Sequence, residues 1–413
     1  MDLLITNIHQ LVNIRKDSKL LRGRELSVLP VLHHAYLLIK DGLISAFGEM
    51  DSLSEKELLS STTIIDAKNA TVLPCWCDSH THLVFAASRE EEFVDKLKGL
   101  SYAEIAARGG GILNSARKLQ AASEEILLVQ ALERLQELIR LGTGAIEIKS
   151  GYGLTVEGEL KMLRVIKKLK ALSPIPIKAT FLGAHSYPPE YRDNHQGYID
   201  LICNEMLPVI ERENLADYID VFCEQGFFSV EETETICRAG MAIGLKPKIH
   251  ANQLHLSGGT QIGVALGAVS VDHLETMDDA AVQALAHSNT IGTLLPTAAY
   301  FLRMPFQPAR TLIENNCAIA LASDYNPGSS PSGNMNTVVS MSCIQMRMLP
   351  EEAINAATLN GAHAMELGAE LGSITVGKKA NLIFTKPVPS VAYIPYAFGS
   401  NLVEKVMING LFI

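Results

Sequence analysis

Eight short apolar segments lie between residues 73 and 324, and helical patterns separate them. The segments cover residues 73–80, 143–150, 177–185, 218–225, 246–252, 267–274, 290–297 and 317–324. Among the helical patterns are EEILLVQALERLQELIRLG and VEGELKMLRVIKKLKAL, and the second has lysines opposite its apolar face. Strands that alternate with helices form parallel sheets. Eight such units predict an α/β fold, the (β/α)8 TIM-type barrel.

The two ends of the chain differ from this middle. The N-terminal part contains the strand-like segments LLITNIHQLV, AYLLIKDGLISAFG and STTIIDAKNATVLP, and LGSITVGKKANLIFTKP and LVEKVMINGLFI near the C-terminus have the same character. Chain termini often lie close together. We therefore expect a small β-sandwich-like domain built from residues 1–72 plus 368–413, with the barrel spanning residues 73–367.

Charge and composition exclude several classes of protein. The formal net charge of −10 argues against nucleic acid, whose binders carry a basic face. No apolar run approaches the roughly 20 residues of a membrane span, and the start MDLLITNIHQLV lacks the basic cluster of a signal peptide. The seven cysteines are odd in number and lack the spacing of a disulfide framework, which indicates reduced thiols in a cytoplasm. The expected partner is a small-molecule substrate, with no nucleic acid and no membrane.

The first apolar segment ends in two histidines separated by one residue. Side chains alternate faces along a strand, so His80 and His82 point the same way, while Cys75 and Cys77 lie on the opposite face. Two neighbouring imidazoles make half of a metal site. The alternative is a pair of solvated histidines at a strand end, because so short a motif often occurs by chance. Further ligands elsewhere in the chain decide between the two.

Other barrel strands also end in polar side chains that can bind a metal. In a barrel of this kind the chemistry lies at the C-terminal ends of the strands. The residues at these ends are His185, His250 with Gln253 and His255, Asp272 with His273, and Asp324. Strand parity predicts that Asp272 faces outward. We interpret Lys149 as a packing or ion-pair residue rather than a carbamylated metal bridge, and His33, His34, His287 and His363 as structural.

Three histidines and one carboxylate form a ligand set that suits zinc, iron or manganese better than magnesium or calcium. A metal held in this way lowers the pKa of a bound water towards about 7, so that hydroxide becomes available at neutral pH. A carboxylate beside that water can take its proton and pass it to a leaving nitrogen. These residues therefore predict a mononuclear metallohydrolase.

Several longer motifs resemble one known family. The segments HTHLVFAASREEEFVDKLKGLSYAEIAARGGGIL, EIKSGYGL, TFLGAHSYPPEY, HANQLH, VDHLE and SDYNPGSSP are similar to those of the imidazolonepropionase family in the amidohydrolase superfamily. The likeness covers essentially the whole chain, and SREEEF, KSGYGL and DYNPGSSP are specific to this family. The resemblance implies hydrolysis of 4-imidazolone-5-propanoate to N-formimidoyl-L-glutamate in histidine degradation. It also implies one bound ion, Zn²⁺ or Fe³⁺, and a homodimer.

The resemblance also assigns roles to individual residues. The implied metal ligands are His80, His82, His250 and Asp324, and the implied catalytic residues are Asp324, His273 and Gln253. The implied substrate-binding residues are Arg89, Tyr102 and Tyr152 for the propionate, His185 and Gln253 for the ring, and Asn326, Gly328 and Ser329 after the last strand. Gln253 stands where some members have Glu and cannot titrate, which leaves the proton transfer to Asp324 and His273.

Three alternatives stay open from the sequence. Another mononuclear amidohydrolase, such as a cytosine or guanine deaminase, would share the metal ligands, but it has no need of a carboxylate clamp. A non-catalytic scaffold on the same barrel would lose metal ligands, and none is missing here. Arg89 itself could be a surface charge or an ion-pair partner of Glu90, Glu91 or Glu92.

Overall fold

The computed structural model describes residues 2–54, 63–100, 104 and 110–413. Its larger unit is a barrel of eight parallel strands, each paired with the next along the chain. The barrel strands are β6 (Trp76–Asp78), β7 (Thr143–Lys149), β8 (Ile177–Ala184), β9 (Tyr218–Cys223), β10 (Lys246–Ala251), β11 (Ser270–His273), β12 (Ile291–Leu294) and β13 (Ile319–Leu321). All eight predicted strands and the predicted barrel fold are confirmed.

The first and last strands meet just beyond their ends. Thr81 and Tyr325 form an isolated parallel bridge, the Asp324 amide donates to the His80 carbonyl at 3.0 Å, and the His82 amide donates to the Tyr325 carbonyl at 2.9 Å. The polar residues after β6 and β13 are therefore part of the closure of the barrel. At its start, β6 is shorter than the sequence predicts because Leu73 and Pro74 pair with Ile383 and Leu382 in a separate sheet.

Helices surround the barrel. They are α1 (Glu90–Leu97), α2 (Ile112–Ala121), α3 (Glu124–Arg140), α4 (Val156–Leu172), α5 (His195–Leu201), α6 (Leu207–Glu213), α7 (Val230–Ala242), α8 (Gly259–Ala265), α9 (Asp279–Ala286), α10 (Pro296–Leu302), α11 (Ala309–Glu314), α12 (Met335–Met346), α13 (Pro350–Asn355), α14 (Gly361–Ala364) and α15 (Tyr393–Tyr396). The π turns Ile202–Met206 and Ala356–Asn360 join α5 to α6 and α13 to α14. Short 3₁₀ turns cover Gly23–Ser27, Met50–Ser52 and Pro189–Tyr191.

The two helices predicted from periodicity, α3 and α4, are capped by hydroxyls. Ser123 accepts from the Ile126 amide and Thr155 accepts from the Gly158 amide, which satisfies N–H groups that the first turn of a helix leaves free. Their apolar faces are buried against the barrel. Within the described part of the chain, no helix has the length and apolarity that a membrane span requires.

A second sheet contains strands from both ends of the chain. Its strands are β1 (Leu3–Val12), β2 (Val31–Lys40), β3 (Leu43–Glu49), β4 (Thr63–Asp66), β5 (Thr71–Pro74), β14 (Leu382–Thr385), β15 (Val403–Ile408) and β16 (Leu411–Phe412). The order is β16-β15-β14-β5-β1-β2-β3, with β4 parallel to β1. Its apolar core includes Ile5, Leu37 and Met407. The sheet is mixed and composite, and the exact domain limits stay a prediction.

Candidate metal centre

Four buried imidazoles and one carboxylate meet at the C-terminal ends of the barrel strands. The candidate ligand atoms of His80, His82 and His250 lie within 4.8 Å of one another, as do those of His80, His273 and Asp324. Asp324 Oδ1 is 3.5 Å from His80 Nε2 and 3.6 Å from His82 Nε2. The structure thus brings together five residues from strands that are far apart in sequence.

The rings of His80 and His250 are each oriented by a carboxylate that contacts Nδ1, so that Nε2 faces the centre. His80 Nδ1 lies 2.7 Å from Asp272 Oδ2, and His250 Nδ1 lies 3.0 Å from Asp220 Oδ2. Such contacts keep the proton on Nδ1 and leave Nε2 free to bind a metal. The Nε2 atoms of His80 and His250 are buried and have no hydrogen-bond partner among the described residues. Buried polar atoms without a partner are rare, and these two nitrogens are placed as metal ligands would be.

The charge state of the imidazoles agrees with this fit. Burial lowers the pKa of His80, His82 and His250 well below the usual value, and neighbouring cationic groups lower it further. The three rings are therefore neutral at pH 7. Only neutral imidazole has the free lone pair that binds a metal.

The prediction that Asp272 faces outward is wrong. Its carboxylate is fully buried and holds His80. Parity failed because His273, the next residue, has a φ of 87°. This left-handed backbone ends the extended conformation, so neighbouring side chains no longer alternate. Asp272 and His273 consequently both serve the centre.

Lys149 is the ion-pair residue that the sequence indicated. Its ammonium lies 2.7 Å from Glu147 Oε1, 2.8 Å from Asp220 Oδ2 and 3.4 Å from Asp272 Oδ2, and all four side chains are fully buried. Lys248 pairs with Glu147 in the same interior. A buried carboxylate needs such partners to remain ionised. The lysines therefore support the two aspartates that orient His80 and His250.

Asp324 is held by the loop that follows β13. Ser329 Oγ donates to Asp324 Oδ2 at 3.3 Å, which leaves Oδ1 facing the histidines. Asn326 Nδ2 donates to the Asp324 carbonyl at 2.7 Å, and its Oδ1 accepts from the Gly328 and Ser329 amides, both at 2.8 Å. Burial raises the pKa of Asp324 to about 6, although His273 lowers it in part. Asn326 and Ser329 thus support the carboxylate from behind.

His273 has carboxylate support of its own. Its Nδ1 lies 3.3 Å from Glu275 Oε1, and Gln307 Nε2 donates to the same oxygen at 3.0 Å. Burial disfavours the charged ring, but the nearby carboxylates, Glu275 foremost, outweigh it and raise the pKa of His273. His273 is therefore electrostatically distinct from the three neutral candidate ligands.

Two aromatic side chains, Tyr152 and His185, border the centre on one side. His185 stacks on His82 with ring centroids 5.4 Å apart, and the Tyr152 ring is 5.7 Å from each of them. His185 Nδ1 lies 3.0 Å from the Gly151 carbonyl. Burial raises the pKa of the Tyr152 phenol, which stays a neutral donor at pH 7. Tyr152 and His185 thus form a wall beside the candidate ligands.

Three further predicted site residues, Arg89, Gln253 and Tyr102, have different outcomes. Arg89 lies just before α1, where it pairs with Glu92, so the ion-pair alternative is realised. Gln253 is buried after β10, beyond Asn252, which has a φ of 54°. Tyr102 lies outside the described residues.

Sequence reasoning assigned no role to several acidic residues that support the site. They are Asp220, Asp272, Glu275 and Glu159, the last of which accepts from the Gly151, Gly153 and Leu154 amides. A signal existed for two of them, because VDHLE places a carboxylate on each side of His273. Asp220 also stands in the middle of an apolar strand, YIDVFC, where an unpaired charge would be costly.

Comparisons with known proteins agree with this geometry. Residues 71–413 match the sequence model of the amidohydrolase family. The chain is 58% identical to the imidazolonepropionase of Flavobacterium johnsoniae, with 98% of each chain covered. It is 52% identical to that of Christiangramia forsetii, with 99% of each covered.

Solved structures share the fold. A guanine deaminase of E. coli superimposes with a TM-score of 0.76 at 14% identity, over 100% of this chain and 99% of that one. An adenosine deaminase of Xanthomonas campestris with bound zinc superimposes with a TM-score of 0.69 at 16% identity, over 100% and 92%. At such identities the likeness concerns architecture alone.

Proposed function

The chain belongs to the amidohydrolase family and, within it, to the imidazolonepropionases, and from this premise we propose how its residues carry out the reaction. The enzyme hydrolyses the cyclic amide C–N bond of 4-imidazolone-5-propanoate and yields N-formimidoyl-L-glutamate in histidine degradation. One observation carries the residue-level proposal: the unpartnered Nε2 atoms of His80 and His250 and the Oδ1 atom of Asp324 converge at the C-terminal ends of the strands.

We propose one metal ion per chain, Zn²⁺ or Fe³⁺. His80, His82 and His250 would hold it through Nε2, and Asp324 through Oδ1. Such an ion acts as a Lewis acid and makes hydroxide available near neutral pH. The carboxylates of Asp272 and Asp220 keep two of the imidazoles in the tautomer that this binding requires.

The protein's own groups would move the proton. The oxygen of the attacking water bonds to the carbonyl carbon, and the ring C–N bond breaks. Asp324 takes the proton from the water and delivers it to the departing nitrogen. His273, held through Nδ1 by Glu275, presents its other nitrogen to the carbonyl oxygen or the water. Gln253 beside them can donate or accept a hydrogen bond but cannot titrate.

The substrate's propionate would bind at the arginine. A guanidinium takes a carboxylate through two parallel hydrogen bonds, and a phenol adds a neutral donor. We assign these roles to Arg89, Tyr152 and Tyr102. His185 and Gln253 would face the imidazolone ring, and Asn326, Gly328 and Ser329 would line the substrate after β13. We also propose that the enzyme is a cytoplasmic homodimer.

The direct test offers the purified enzyme 4-imidazolone-5-propanoate and follows the loss of the ring absorbance. We expect turnover by the metal-loaded wild type and none by His250→Ala. Guanine and cytosine serve as parallel substrates because a deaminase on this barrel would use them. Turnover of either base without opening of the imidazolone would overturn the assignment.

A further inference from the structure

The guanidinium of Arg89 is held between a carboxylate and a glycine. Its Nε and Nη2 atoms lie 2.8 and 2.7 Å from the same oxygen, Glu92 Oε2. Its remaining nitrogen, Nη1, lies against the backbone of Gly328. Both charged side chains are largely buried, with 13% of Arg89 and 11% of Glu92 exposed. The arginine is therefore fixed on both edges.

Gly328 is required here by space rather than by backbone shape. A Cβ at residue 328 would lie 2.2 Å from Arg89 Nη1, closer than the two atoms can approach, and 3.1 Å from its Cζ, which is a tight contact. The φ of Gly328 is not in the left-handed region that favours glycine. An alanine would thus fit the backbone, and the end of the Arg89 side chain would have to move away.

Glu92 fixes the Nε–Nη2 edge of the Arg89 guanidinium and also binds the segment at Gly111. We call the Arg89, Glu92 and Gly328 region the rim. Its second oxygen, Oε1, accepts from the Gly111 amide at 3.0 Å. Because Glu92 occupies the Nε–Nη2 edge, only the Nη1 side of Arg89 can take another anion. That side faces the loop that carries Asp324, four residues before Gly328.

We propose that Gly328 and Glu92 are specificity-determining positioning residues, which seat Arg89 so that its Nη1 edge binds the carboxylate of the substrate. The proposal rests on the proposed function and deepens it. Selectivity for an imidazolone that carries a carboxylate then requires glycine at residue 328 as well as arginine at residue 89. Gly328 thus acts through Arg89 in addition to lining the substrate.

A double-mutant cycle tests this without depending on overall activity. The variants are Gly328→Ala, Arg89→Ala and the double variant, assayed on 4-imidazolone-5-propanoate and on the same ring without the propanoate. We expect Gly328→Ala to lower the preference for the carboxylated substrate, as a ratio of kcat/KM values, about tenfold or more through KM. In the Arg89→Ala background the same substitution should have almost no further effect on that ratio.

Two further variants complete the test. Glu92→Gln should lower the same ratio, since an amide holds the guanidinium edge less firmly than a carboxylate. Gly399→Ala is the control, because its Cβ meets nothing within 4 Å. If Gly328→Ala lowers the ratio equally with and without Arg89, Gly328 acts only through its own contact with the substrate and the inference fails. Absence of imidazolone hydrolysis by the wild type would instead reject the proposed function.

Discussion

The metal centre and the arginine at the rim are positioned by different parts of the barrel. Asp220 and Asp272, which orient the ligand histidines, lie within strands β9 and β11. Glu92 and Gly328, which seat Arg89, lie in a helix and in a loop after the strands. Side chains on strands are held more rigidly than those on loops, which vary more readily. The difference indicates that the strands supply the general chemistry and the rim supplies selectivity.

Loss of a proposed ligand histidine should have the largest effect on metal content and activity. His250→Ala removes a coordinate bond, so we expect metal and activity to disappear together. The loss should exceed the roughly 10–100-fold cost of removing an outer partner. Elemental analysis beside a turnover assay measures both. Two ions per active wild-type chain would defeat the mononuclear assignment.

The next largest effect should come from Asp324→Asn, which keeps the shape of the side chain but removes its charge. A neutral amide cannot accept the proton of the attacking water. We expect kcat to fall about 10²–10⁴-fold, the usual range for general acid–base catalysis, even when excess metal restores occupancy. A kcat near that of the wild type with metal bound would show that the shuttle is another group.

At the rim, Arg89→Ala should cost about 2–5 kcal/mol of substrate binding, the range for breaking one side of a buried charge pair. Arg89→Lys should recover only part of this, because a point charge cannot replace the guanidinium fork. Metal content should stay unchanged in both variants. Loss of metal from either variant would mean that the rim supports the centre after all.

The smallest expected effect concerns an outer partner of a ligand. Asp220→Asn leaves His250 in place but weakens its orientation, so we expect metal affinity to fall about 10–100-fold. Competition with a chelator measures the affinity. Asp217→Asn is the matched control, since Asp217 pairs with Lys170 just before the start of the same strand, at the end away from the metal centre. Equal losses in the two variants would point to general destabilisation of β9.

The sequence predicted the strands and placed the candidate ligand residues at the strand ends, but it did not show what orients those residues. His80 and His82 were found because the period of a strand is a local property. Asp272 was misplaced because a left-handed residue beside it broke that period. Asp220 contacts a residue 30 positions away and Asp272 one 192 positions away, and no local pattern encodes such pairs. The two interpretations of Arg89, as an ion-pair partner and as a substrate-binding residue, are compatible, because Glu92 holds the arginine in place.

We propose that chemistry and selectivity reside in separable regions of the barrel. The most direct measurement is kcat/KM for Asp220→Asn and Arg89→Ala on 4-imidazolone-5-propanoate and on the ring without its propanoate, at limiting metal. We predict that Asp220→Asn lowers both values by the same factor, whereas Arg89→Ala lowers the first about 30-fold or more and leaves the second nearly unchanged. Equal losses on both substrates for Arg89→Ala would show that chemistry and selectivity are not separable.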